Sequence, residues 1–257
     1  MQELVITEET KLTPIMGEVY RRLRTSIEFS GADNRAICIT SVSANDGKSI
    51  VSYNLAKALA KARKKTVLVD ADMRNSVMDK RLGYSSSLKG LSHYLAGRAQ
   101  LMDCIYKTSE DNLFLIPTGI FPKNPSELLS QKRFTELVTK LKAAFDYVII
   151  DTPPIGLVID AAVVAKNSDA SALVVASDAS SRKVVRIAID EMRQANENFL
   201  GVILNKINTR SSGYGRKYGY GYGYGYGYGY GGYGYGYGHA QEDDNSDSDI
   251  ESTLSEE

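Results

Sequence analysis

Six short runs of apolar, largely β-branched residues punctuate the chain: 36–42 (AICITSV), 66–70 (TVLVD), 112–119 (NLFLIPTG), 147–154 (YVIIDTPP), 172–177 (ALVVAS) and 199–206 (FLGVILNK). Runs this short, with almost no polar alternation, predict strands buried on both faces, as in a parallel sheet. Between them apolar residues recur at helical spacing. The clearest cases are 47–65 (GKSIVSYNLAKALAKARKK) and 125–145, which opens on Pro125-Ser126-Glu127, a favourable helix start. Residues 14–30 (PIMGEVYRRLRTSIEFS) also predict a helix. Strand and helix alternate, so the expected fold class is α/β, a mostly parallel sheet with helices on both faces. The expected organisation is a helical arm over 1–35, one α/β domain over 36–210, and a tail from 211 to the end.

The apolar pattern stops at Ser211. Eleven of the 17 tyrosines lie in 214–237, where they alternate with glycine, and eight acids and no Lys or Arg follow His239. Such a segment buries too little to offset its chain entropy, so disorder is expected from 211 to 257. Formal net charge is zero, yet without those eight acids 31 Lys and Arg face only 23 acids, so the body of the chain is basic. Cys38 and Cys104 lack CxxC spacing, which argues against a zinc site or a disulfide framework. The N-terminus has no apolar core of a signal peptide, and no run of about 18 apolar residues occurs, so a cytoplasmic chain is expected.

The chemistry is concentrated where strands end. SVSANDGKS (41–49) follows a strand and opens a helix. Gly47-Lys48-Ser49 is the second half of a phosphate-binding loop, a P-loop NTPase feature. Its backbone N–H groups face phosphates, Lys48 reaches the β- and γ-phosphates, and the Ser49 hydroxyl ligates Mg²⁺. Val42 stands where the strict pattern wants glycine. The residues expected to line the nucleotide are Ser43, Ala44, Asn45, Asp46, Gly47, Lys48, Ser49 and Ile50, with Asn205 from the end of the last strand run. Two further runs end in aspartate, giving Asp70 and Asp72 in VLVDADMR and Asp151 in YVIIDTPP. In an open α/β sheet these carboxylates converge on the strands' carboxyl ends beside Lys48 and Ser49, where a triphosphate requires a cation. Ser49, Asp70, Asp72 and Asp151 are the expected metal ligands. Taken singly, each aspartate also reads as a helix N-cap. A carboxylate beyond metal needs, Asp70 or Asp72, suits accepting a proton from a phenol during phosphoryl transfer.

EVYRRLRTSIEFS, ITSVSANDGKSIVSYNLA, VLVDADMR, PKNPSELLSQKR and YVIIDTPPIGLVIDA together resemble the bacterial tyrosine kinases of capsule and exopolysaccharide biosynthesis, over about residues 10 to 208. DADMR is the most specific piece and matches that family's Walker A′ box. The resemblance implies an ATP- and Mg²⁺-dependent protein-tyrosine kinase with catalytic residues Lys48, Asp70, Asp72 and Asp151. It implies autophosphorylation between subunits on Tyr218, Tyr220, Tyr222, Tyr224, Tyr226, Tyr228, Tyr230, Tyr233, Tyr235 and Tyr237. It further implies a ring-shaped homo-oligomer docked through the ExxRxxR residues Glu18, Arg21 and Arg24, which by themselves also read as a solvated, salt-bridged face. The implied partners are a membrane adaptor, or polysaccharide co-polymerase, whose cytoplasmic tail activates the kinase at the inner face of the membrane, and a cognate phosphotyrosine phosphatase. No nucleic acid is expected. The tyrosine–glycine strip has two rival readings, a self-adhesive segment and an aromatic platform for a nucleic acid or sugar polymer. The body has two rivals as well. One is a positioning-type deviant P-loop ATPase, which carries a signature lysine where Ser41, Val42 and Ser43 stand here. The other is a non-enzymatic adaptor phosphorylated by another kinase.

Overall fold

The computed structural model describes residues 2–7, 12–177 and 179–207. The tyrosine–glycine strip, the acidic end and the boundary placed at 210 lie outside the described residues. In chain order the elements are β1 (Gln2–Leu4), α1 (Pro14–Phe29), β2 (Ala36–Ser41), α2 (Lys48–Lys61), β3 (Thr66–Asp70), α3 (Met78–Leu82), α4 (Leu91–Leu95), β4 (Tyr106–Thr108), β5 (Leu113–Ile116), α5 (Pro125–Ser130), α6 (Lys132–Ala144), β6 (Tyr147–Asp151), α7 (Asp160–Lys166), β7 (Ala170–Ala176), α8 (Arg182–Ala195) and β8 (Phe199–Asn205).

The strands form one sheet in the order β1-β4-β5-β3-β6-β2-β7-β8. Every neighbouring pair is parallel except β4 with β5. Side chains along the central strands alternate between two apolar layers, as the strand period of two requires. Ile37, Ile39, Leu68, Ile149 and Val174 meet α2 and Ile27 of α1 on one face. Cys38, Val67, Val69, Val148, Ile150 and Leu173 meet side chains of α4 to α8 on the other. Both cysteines are free and buried in this second layer.

Three features depart from the expected pattern. The predicted helix over 125–145 is two helices, interrupted at Gln131, whose backbone is extended (φ −71°, ψ 149°). The buried positions explain the break. Leu128 and Leu129 face the core, but the next buried residue is Phe134, a gap of five that a continuous helix would rotate off the core face. The last strand is not wholly buried. It is the sheet's outer edge, and Val202 and Leu204 are exposed. The strands β1 and β4 were not foreseen, and each has only three residues. Among the described residues no helix is long and apolar enough to cross a membrane.

Candidate functional site at the carboxyl ends of the central strands

β6 lies between β2 and β3, and the register pairs Asp151 with both Ile39 and Asp70. The loop after β2 therefore meets the ends of β3 and β6 side by side. That loop turns through two left-handed residues, Asn45 (φ 66°) and Gly47 (φ 99°). Ser43 N–H donates to Asp46 Oδ2 at 2.8 Å and Asn205 Nδ2 donates to the Asp46 carbonyl at 2.8 Å, so the loop is braced from within and from the end of β8. A Cβ at position 47 would come within 2.2 Å of Asn205 Nδ2, so the brace requires glycine there. Val42, the departure from the strict P-loop pattern, is buried in the apolar layer instead, and its carbonyl is approached so closely by Gly156 that a Cβ there would lie 2.5 Å away.

Gly47 caps α2 without a side-chain hydrogen bond. The N–H groups of the first helical turn have no intrahelical acceptor and open onto a cleft walled by Lys48, Ser49, Asp72 and Arg74, with Ala44, Asn45 and Ile50 alongside. Lys48 Nζ lies 2.8 Å from Asp72 Oδ2, 3.8 Å from Asp151 Oδ2 and 3.2 Å from Ser49 Oγ. Ser52, which was not singled out in the sequence, donates to Asp151 Oδ1 at 3.0 Å. Asp70 Oδ1 accepts from Asp72 N–H at 3.2 Å, and Ser76 donates to its other oxygen. All three aspartates are buried.

Electrostatics follow from that crowding. Burial, then the neighbouring Asp151, pushes the Asp70 carboxyl up to about 7, against hydrogen bonds from Ser76 and Thr118. Burial also raises Asp151, opposed by Lys48 and by bonds from Ser49 and Ser52. Burial pulls the Lys48 ammonium down, but Asp151 and Asp72 outweigh it and the net shift is upward. The carboxylates of this site, Asp70, Asp72 and Asp151, thus outnumber Lys48, the ammonium among them, which favours a further positive charge. Among the described residues no three His, Cys, Asp or Glu side chains form a ready metal cage. Mg²⁺ does not need one, since it keeps waters and shares phosphate oxygens with one or two carboxylates. The donors present fit that shared mode, with Ser49 at the helix start and the carboxylates facing it.

The A′ segment is pinned by contacts that the sequence did not reveal. Arg74 Nε and Nη2 reach Asp160 Oδ2 and Oδ1 at 2.8 and 3.0 Å, and Ser126 donates to Asp160 Oδ1 at 2.6 Å. The motif after β3, the start of α5 and the start of α7 therefore meet on one buried carboxylate. Farther away, Glu18 and Arg21 pair at 2.6 Å on the exposed face of α1. Arg24 instead lies partly buried against α2, 3.5 Å from the Ala58 carbonyl.

A model of the AAA domain matches residues 34–181. Tyrosine-protein kinase CpsD of Streptococcus agalactiae is 44% identical over 198 residues, covering 77% of this chain and 86% of its own. The chain belongs to the bacterial tyrosine-protein kinases. Within this family, the solved kinase domain of Escherichia coli tyrosine kinase ETK superposes with a TM-score of 0.73 at 33% identity, covering 87% of each chain. The septum site-determining protein MinD from Pyrococcus horikoshii OT3, solved with Mg-ADP, superposes less closely, with a TM-score of 0.56 at 27% identity over 66% of this chain and 69% of its own. The mostly parallel P-loop fold is common to them, and the kinase relationship extends over more of the chain than the positioning-ATPase likeness.

Proposed function

We propose that this protein is an ATP- and Mg²⁺-dependent protein-tyrosine kinase that phosphorylates the tyrosines of 214–237 between subunits and thereby regulates capsular or exopolysaccharide polymerisation and export. The observation that carries this reading is the meeting of Lys48, Ser49, Asp72, Asp151 and Asp70 at the start of α2, in a chain of this family. The first-turn N–H groups and Lys48 hold the phosphates. Ser49 with Asp72 and Asp151 would hold Mg²⁺, which neutralises the charge that grows on the phosphates. Asn205 keeps the loop in its binding shape. The phenol oxygen bonds to the γ-phosphorus, the bond from that phosphorus to the β-phosphate oxygen breaks, and Asp70 or Asp72 takes the phenol proton.

The same reading places Glu18, Arg21 and Arg24 at the contact between copies. It gives the kinase a membrane adaptor at the inner face of the membrane and a phosphatase that resets the tail. The positioning-ATPase alternative is the weaker one, because relatives of that type match less of the chain. Incubating the full chain with ATP and Mg²⁺ and blotting for phosphotyrosine tests the proposal. The wild type is expected to label, and Lys48→Met to lose labelling while its circular dichroism is retained. Equal labelling of both would remove this chain as the kinase.

A further inference from the structure

Three cationic side chains line the P-loop cleft: Lys48, Arg74 and Arg81. Two of them are committed. Lys48 Nζ lies 2.8 Å from Asp72 Oδ2 and 3.8 Å from Asp151 Oδ2, and Arg74 grips both oxygens of Asp160. Arg81 is exposed, and among the described residues no hydrogen bond or ion pair engages its side chain. It belongs to α3, whose placement is firmly set. Met78 and Leu82 of that helix are buried in the apolar layer shared with α2. Arg81 N–H donates to the Val77 carbonyl at 3.0 Å, so these two residues stand one turn apart on one face, and both line the cleft. At the start of the helix, Ser76 Oγ accepts from Met78 N–H at 3.1 Å while donating to Asp70. At its end, Thr7 N–H donates to the Leu82 carbonyl at 3.1 Å and Thr7 Oγ1 to the Gly83 carbonyl at 2.8 Å. Buried side chains and ties at both ends thus hold α3 with Arg81 on the cleft side.

We propose that Arg81 is a specificity-determining residue of the nucleotide site, whose guanidinium binds the terminal phosphate of ATP and lets the site tell ATP from ADP. This rests on the reading of the cleft as the nucleotide site and adds the residue that recognises the transferable group. One wall of the cleft is the P-loop with the start of α2, and another is formed by Asp72, Asn75, Val77 and Arg81. The first-turn N–H groups and Lys48 serve the phosphates that lie along the P-loop. The terminal phosphate extends farthest from the base, toward the wall that includes Arg81. An arginine suits that place, because its planar fork of donors matches the oxygens of a phosphate. Its charge is also not already cancelled by a carboxylate. The loop itself offers no second cation, since Ser41, Val42 and Ser43 carry none.

The test is equilibrium titration of the full chain, with Mg²⁺, against a fluorescent ADP analogue and a fluorescent non-hydrolysable ATP analogue, so that it does not depend on turnover. Arg81→Gln is expected to weaken the ATP analogue by roughly tenfold to a hundredfold, the loss of hydrogen bonding to a charged group, and to leave the ADP analogue within about twofold of the wild type. Lys80→Gln removes the same charge from the neighbouring position on α3, which does not line the cleft, and is expected to leave both affinities at the wild-type value. Both side chains are exposed, so the circular dichroism of both variants is expected to match the wild type. Equal loss for the two nucleotides, no loss for either, or a Lys80→Gln variant as impaired as Arg81→Gln overturns the assignment. A wild type that binds neither nucleotide overturns the nucleotide-site reading, and the assignment with it. A wild type that tells the nucleotides apart through Arg81 but never labels its tail overturns the kinase reading alone.

Discussion

At the scale of single residues the site is held in an electrostatically costly state. Asp70 is fully buried beside Asp151, and its carboxyl stands at about 7. An unfolded aspartate titrates near 3.8. Below that value the group is neutral in both states. As pH rises toward 7 the unfolded chain ionises first and binds fewer protons, so this group's contribution to stability is lost through that window. The accumulated cost by pH 8 is on the order of 4 kcal/mol, or roughly 8–16 °C in Tm. Asp70→Asn cannot ionise, and its amide oxygen still accepts from Asp72 N–H or Ser76. The nucleotide-free variant is therefore expected to melt above the wild type at pH 8 and level with it near pH 4. Melting curves across pH 4–8 check this, and parallel curves for the two proteins would mean that Asp70 is not held neutral by its surroundings. A protein that keeps such a carboxylate accepts instability for chemistry.

At the scale of elements, how much the sequence reveals depends on how much of an element's environment is written in its own residues. Strands β2, β3 and β6 were legible because burial on both faces leaves an unbroken apolar run, and their final aspartates could be placed together from the rule that ligands bind at the carboxyl ends of strands. The break at Gln131 was written in the same way, in the five-residue step from Leu129 to Phe134, but favourable helix formers on both sides hid it. Strands β1 and β4 are too short for periodicity to register, and the exposure of β8 is set by its place at the sheet edge, which local pattern does not encode. Asp160 shows the limit most clearly. In sequence it opens a helix, and only the fold brings Arg74 and Ser126 to it. The guanidinium fork satisfies both oxygens of a carboxylate with no exposure, a geometry an ammonium cannot copy. Arg74→Lys is expected to lower stability by about 1–3 kcal/mol, less than for a fully buried pair because Arg74 itself is partly exposed. It is also expected to weaken nucleotide binding, because the A′ segment loses its anchor. Urea unfolding followed by titration with a fluorescent ADP analogue measures both, and a variant matching the wild type in each would show that the clamp is incidental.

At the scale of the whole molecule, charge connects the catalytic body to the tail. Before His239 the chain carries an excess of basic residues, and the eight acids beyond it bring the formal sum to zero. A neutral particle has no net electrostatic barrier to associating with its own copies. Phosphorylation removes that balance. Five phosphotyrosines add about −8 to −10 charges to one chain, all within the 24 residues of 214–237. In an assembly whose copies present their tails to each other's active sites, those charges gather near one another and near Asp70, Asp72 and Asp151. Each transfer therefore makes the next contact between copies less favourable, and the oligomer proposed above is expected to come apart as labelling proceeds. Because the repulsion acts through solvent, it should be screened over about 10 Å at 0.1 M salt and over about 3 Å at 1 M. Sedimentation velocity on the labelled protein is thus expected to show monomer at low salt, partial reassembly at high salt, and full reassembly after phosphatase treatment. Labelled and dephosphorylated proteins that sediment alike at low salt would show that tail charge does not govern assembly, and the phosphotyrosines would then act by being read by another protein.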